Sequence, residues 1–155
     1  MNWEAFTRFS SLDIQVHWAT VTLAFAFGLG QLVLSKGTGG HRFRGRAYAG
    51  LMIVTALAAF FIRSPAPDGA LGYLSLAGMS PIHLFIPLTL VSVPLGVLAA
   101  RRGNMTAHKR HMIGSFLGAL VIAGAFTFLP GRRMHLLFFG DEERLEQWEA
   151  WYGED

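Results

Sequence analysis

The chain has 155 residues, a formal net charge of +3 and no cysteine; 52% of its residues are hydrophobic and only 15% charged. Soluble domains carry roughly 25% charged residues, and one domain is the natural expectation at this length. Without cysteine there are no disulfides, thiolate zinc sites, cysteine-bound iron–sulfur clusters or covalently attached c-type haem, and Arg and Lys clustered beside apolar runs point to lipid headgroups and not to nucleic acid.

The charges sit at the ends of apolar runs and in the last fifteen residues. That is the distribution of a membrane protein, because an ionisable group at the bilayer centre costs about 2.5–3.5 kcal/mol or more. Trp3, Phe6 and Phe9 recur at helical spacing and form an amphipathic start. The apolar run that follows is too long for a signal peptide and shows no cleavage site.

Four spans are expected, at about 14–34, 47–62, 81–100 and 111–129. A run of about 20 residues crosses a hydrocarbon core of roughly 30 Å. Asp13 is the expected N-cap of the first span. Gly28 and Gly30 near its far end are small enough for close helix approach. The second span is short by the length rule, so it is expected to begin inside the preceding loop of residues 35–46, with Arg44 and Arg46 snorkelling. Residues 64–80, with Pro65, Pro67, Gly69 and Gly72, break the helix. Their Leu71, Tyr73, Leu74 and Leu76 suit an interfacial loop. Ser80-Pro81 then reads as a cap followed by proline at the first helical position. Pro87 and Pro94 are expected to kink the third span, which neighbours in a membrane tolerate. Gly114, Gly118 and Gly124 give the fourth span small-residue faces. Residues 1–135 form the membrane domain. Residues 136–155 are an acidic tail in which Leu145, Trp148, Trp151 and Tyr152 share a helical face, as an interfacial helix would.

Four spans place both termini on one side. The loops after the first and third spans hold Lys36, Arg42, Arg44, Arg46, Arg101, Arg102, Lys109 and Arg110 and no acid. The other side holds five basic residues and every acid in the chain. The positive-inside rule puts the eight-base side in the cytoplasm and both termini outside, in a bacterial inner membrane. The same eight residues are candidates for contact with lipid or other anions.

The histidines repeat. His17 precedes His41 by 24 positions and His83 precedes His108 by 25. This suggests an all-α fold, a four-helix bundle built from two repeated transmembrane hairpins. His17 and His83 open spans one and three inside apolar sequence, where an ionisable residue is a functional candidate by default. The plainer role is a side chain bonded to Asp13 or to a backbone carbonyl. His41, His108 and His111 lie on the basic side, in loops; His108 and His111 are spaced to share a helix face. Solvation, or contact with lipid phosphates, is their plainer role. His135 reads as a surface residue. Bundles bind cofactors between facing helices, and neutral imidazole ligates haem iron. One histidine pair near each face would suit two b-type haems and an electron path across the bilayer. Spans one and three run in the same direction, so His17 and His83 lie at similar depth. They are therefore the first candidates as ligands to haem iron, with Arg63, Arg132 or Arg133 meeting the propionates.

The pattern His41-Arg42…Gly45-Arg46-Ala47-Tyr48, then Pro81-Ile82-His83, then His108…His111-Met112, resembles a domain-of-unknown-function family of small four-helix bacterial membrane proteins. The resemblance covers about residues 12–135. That family is distantly similar to the bis-histidine membrane b-type cytochromes. The resemblance implies that His17, His41, His83 and His108 or His111 are ligands.

Three classes of function follow. The first is a b-haem electron-transfer protein without a further catalytic site. The second is a non-catalytic accessory subunit of a larger membrane complex, docking through Trp3, Phe6, Phe9 and the acidic tail. The third is a carrier or a metal- or anion-binding module built on His41, His108 and His111. The spectrum of the purified protein separates the first from the others.

Overall fold

The computed structural model describes residues 6–7, 10–62, 81–129 and 133–139. All regular structure among them is helical. Helix α1 is Leu12–Val33 and α2 is Gly39–Phe61. A single 3-10 turn, Pro81–Leu84, leads into α3, Phe85–Arg101. Helix α4 is Met105–Thr127 and contains a π-helical stretch, Phe116–Ile122. A short α5, Arg133–Phe139, follows. The expectations for Arg63, the 64–80 loop, Arg132, the side chain of Arg133 and the tail beyond Phe139 lie outside the described residues.

Three helices are long and apolar enough to cross a membrane: Leu12–Val33, Ile82–Arg101 and Met105–Thr127. Helix α2 has the length but opens with His41, Arg42, Arg44 and Arg46. It starts inside the 35–46 segment, as the shortness of the second apolar run implied. The hydroxyl of Thr38 accepts the His41 N–H at 3.1 Å, which fixes the first turn well before the apolar run begins. Asn104 does the same for α4, accepting the Ala107 N–H at 3.0 Å. The basic-side histidines therefore lie in helices, not loops. The α1 cap is also corrected: Ser11 holds that position and Asp13 falls in the first turn.

The turn between α3 and α4 follows from Gly103. Its φ of 75° is left-handed. Its N–H donates to Ala100 O at 3.1 Å, and the Asn104 N–H donates to Ala99 O at 2.9 Å. This Schellman arrangement satisfies the carbonyls at the end of α3. Asn104 then caps α4, so one glycine and one asparagine reverse the chain. Replacing Gly103 by alanine forces Cβ into a conformation costing roughly 1–2 kcal/mol. A lower melting temperature in detergent is expected, and an unchanged one would contradict this account of the turn.

Helix α1 packs chiefly on α2, α3 on α4, and α2 on α3, while the π stretch of α4 touches α1. The buried core draws on all four long helices: Ala24, Tyr48, Met52, Val93, Phe116 and Leu120. Gly28 makes room for it. A Cβ there would lie 2.6 Å from the Phe116 ring and 2.9 Å from Tyr48. In α4 only Gly118 makes a comparable contact, with Phe85 at 3.2 Å; Gly114 and Gly124 face open space, contrary to expectation. The outer faces of α1, α3 and α4 stay apolar and exposed, as at Leu23, Leu29, Val91, Leu117 and Val121. Lipid tails take the place of water against such surfaces, so their exposure costs nothing.

Phe6 is 4% exposed and packs with Leu137, Ile14, Trp18 and Met134. It is therefore part of the chain's own packing and not of a docking surface. The ring stands 5.4 Å from that of Trp18, tying the N-terminal segment to α1 and α5.

Candidate functional site

The antiparallel hairpins sort the histidines to two ends. At the end where α1 and α3 begin, His17 donates its Nδ1–H to Thr55 O at 3.0 Å. The Thr55 hydroxyl donates to Thr20 Oγ1 at 2.8 Å, and Thr20 donates on to Val16 O at 2.7 Å. His17 thus closes a polar clasp between α1 and α2. His83 donates Nε2–H to Ile62 O at 3.1 Å. Ile62 caps the C-terminus of α2, where carbonyls have no helical donor. Both histidines bond to α2 carbonyls, the plainer of the two roles the sequence offered. His83 uses its outer nitrogen to do so.

The other end is built differently. His108 donates Nδ1–H to Gly96 O at 2.9 Å, across the α3–α4 hairpin. In the neutral ring this leaves the lone pair on Nε2. The His41 ring lies 6.5 Å from that of His108, centroid to centroid, with the planes at 80°. Backbone geometry holds His41 in place: its N–H is capped by Thr38, and its carbonyl accepts Gln31 Nε2 at 2.9 Å. Burial lowers the His41 pKa below its ordinary value of 6.5, and the neighbouring His108, Arg44 and Lys36 act in the same direction. The neutral form with an available lone pair is favoured.

Buried polar atoms with no partner among the described residues include His41 Nδ1, Arg44 Nε and Gln31 Oε1 at this end, and Tyr48 Oη two turns further along α2. Arg44 rests against Gly30 and Gly40, and Gln31 against Gly45. Buried groups of this kind call for water, an ion or a ligand. Sequence reasoning missed Gln31 and Tyr48, although Tyr48 stands seven positions after His41 and so on the same helix face.

His111 does not join the pair. Its Cβ approaches Gly96 instead, and it lines an outward groove between α3 and α4. Among the described residues no group of three or more His, Cys, Asp or Glu side chains is placed to hold a metal ion. The divalent-metal reading of His41, His108 and His111 together is therefore corrected: two converge and the third faces elsewhere. Arg42, Arg46, Arg101, Arg102, Lys109 and Arg110 are exposed at this end, and Arg44 is half-buried. His135 is half-buried with its ring 5.5 Å from Phe139, not a surface residue.

A family model described as a predicted membrane protein, DUF2306, matches residues 14–153. The chain belongs to the DUF2306 family. That match spans all the helices and both histidine ends, so the DUF2306 chain is a membrane protein with several apolar helices. No curated protein and no solved structure matches it.

Proposed function

We propose that this DUF2306 protein is a four-helix bundle in the bacterial inner membrane that holds a b-type haem between His41 and His108 and passes electrons. The 6.5 Å separation of the two rings carries the reading. His41 and His108 are the residues that would hold the iron, each through a ring nitrogen of a neutral imidazole. The donor chemistry fits as well. Gly96 O takes the His108 Nδ1–H, the outer-shell bond that orients a ligating histidine and raises its basicity. Arg44 and Lys36, whose charges reach His41, would offset the carboxylates of such a group. A bound haem would supply one-electron transfer. The chain itself supplies two neutral imidazoles, a fixed tautomer at His108 and counter-charge. A reduced-minus-oxidised absorption spectrum of protein expressed with haem supply tests the proposal; a colourless, folded protein defeats it.

In this reading α2 is the remaining span, with Arg42, Arg44 and Arg46 snorkelling to the basic face. Both termini then lie outside the cytoplasm. Lys36→Cys and Arg102→Cys are expected to react with an impermeant thiol reagent only from the cytoplasmic side. A cysteine added after Asp155 should react only from the other. Labelling of the C-terminal cysteine from the cytoplasm would reverse the assignment of histidines to faces.

A further inference from the structure

We infer that the groove between α3 and α4 at the basic end binds one anionic phospholipid from the leaflet on that side. The groove encloses about 620 Å³. Its walls come from Leu88 and Ser92 on α3 and from a stripe on α4 in which Ala107, Arg110 and Gly114 recur at helical spacing. Ala107, Ser92 and Gly114 are small, which leaves a trough. A Cβ on Gly114 would meet nothing within 4 Å, so the floor is open there.

Charge and depth identify the occupant. The mouth carries Asn104, Thr106, Arg110 and His111, and Arg101, Arg102 and Lys109 are exposed at the same end of α3 and α4. No acid occurs in the sequence between Asp68 and Asp141 to neutralise them. The inner part is apolar and opens sideways, where a membrane helix meets acyl chains. From Asn104 to Gly114 the helix rises about 15 Å at 1.5 Å per residue. Arg110 thus stands at headgroup level, and only the stretch from His111 inward lies beside acyl chains. A phosphate held by Arg110 with the Asn104 and Thr106 side chains would leave one acyl chain lying over Ser92 and Gly114 toward Leu88. A cationic mouth favours an anionic headgroup over a zwitterionic one.

The experiment is native mass spectrometry of the full chain in detergent, with phosphatidylglycerol or phosphatidylcholine of matched chains. One retained phosphatidylglycerol per chain is expected, at least tenfold in excess of phosphatidylcholine. Gly114→Phe places a ring in the trough from a position where an added Cβ meets nothing within 4 Å, and Arg110→Gln removes the phosphate ligand. Each should lower phosphatidylglycerol retention at least fivefold. Gly124→Phe, a like change facing open space elsewhere on α4, should leave it unchanged and controls for folding. Equal retention of the two lipids overturns the inference. So does undiminished retention in Gly114→Phe and Arg110→Gln, or displacement of the lipid by millimolar inorganic phosphate, which would mark a site for a free anion.

Discussion

Replacing His108 by alanine is expected to abolish the b-type spectrum, and replacing His111 by alanine is expected to leave it intact. The two residues are one helical turn apart, carry the same chemistry and belong to the same basic segment. Only their surroundings differ. His108 lies 6.5 Å from His41 and spends its Nδ1–H on Gly96 O. His111 faces the outer groove. His41→Ala should match His108→Ala, since each removes one of the two imidazoles proposed to hold the haem. His108→Gln is the decisive control. Its side-chain amide retains a donor for Gly96 O but offers no imidazole, so the helix contact is spared while ligation is lost. If His108→Gln keeps the spectrum, the histidine serves only to bond α3 to α4. If His111→Ala is as damaging as His108→Ala, a different pair holds the group. His17→Ala and His83→Ala should act on stability instead, because each removes a side-chain hydrogen bond to an α2 carbonyl. A net hydrogen bond of this sort contributes about 0.5–1.5 kcal/mol. Loss of the whole spectrum in those variants would move the site to the other face.

The apolar runs and the sorting of charge to their ends were legible because the bilayer imposes them on composition. The same constraint made the histidines stand out, since few polar residues are admitted between those ends. The first residue of each helix was not legible from hydropathy. It marks where lipid begins, whereas Thr38 and Asn104 mark where the backbone begins to coil. The shortness of the second apolar run placed the start of α2 within residues 35–46, and Thr38 sets it at Gly39; His41 and His108 are helical for that reason and because Asn104 caps α4. The pairing of His41 with His108 depends on how two helices are rotated against each other, which spacing within one helix does not fix. Nor does spacing say which ring nitrogen is engaged. His17 and His83 are bonded to α2 carbonyls, and His17 makes its bond through Nδ1 as His108 does. Glycine was legible as a sign of close packing at Gly28 but misleading at Gly114 and Gly124, which face outward. The tightest of these contacts falls at Gly96, whose only signal was a glycine two positions after Pro94 in an aliphatic run.

Gly96 is where the largest loss of stability is expected. It is buried, and a Cβ there would run into the terminal methyl of Met112 and lie 3.0 Å from the Cβ of His111. The two obstacles differ. The Met112 methyl ends a flexible chain and can swing away. The His111 Cβ is fixed to the α4 backbone, so it yields only if α3 and α4 separate. Separation would also draw Gly96 O away from His108. Gly96→Ala gains about 1 kcal/mol of helix propensity, which offsets part of an overpacking cost of about 1–3 kcal/mol. A modest net loss follows, and Met112→Ala in the same chain should restore some of it. Gly96→Leu adds three further carbons to the same space and should cost more than any other single change considered, taking the His41–His108 pairing with it. Thermal melting in detergent, read beside Gly50→Leu, separates this from a general intolerance of leucine, because Gly50 faces open space on α2. A Gly96→Leu protein that melts at the wild-type temperature would mean that α3 and α4 do not meet at Gly96, and the placement of His108 beside His41 would fall with that contact.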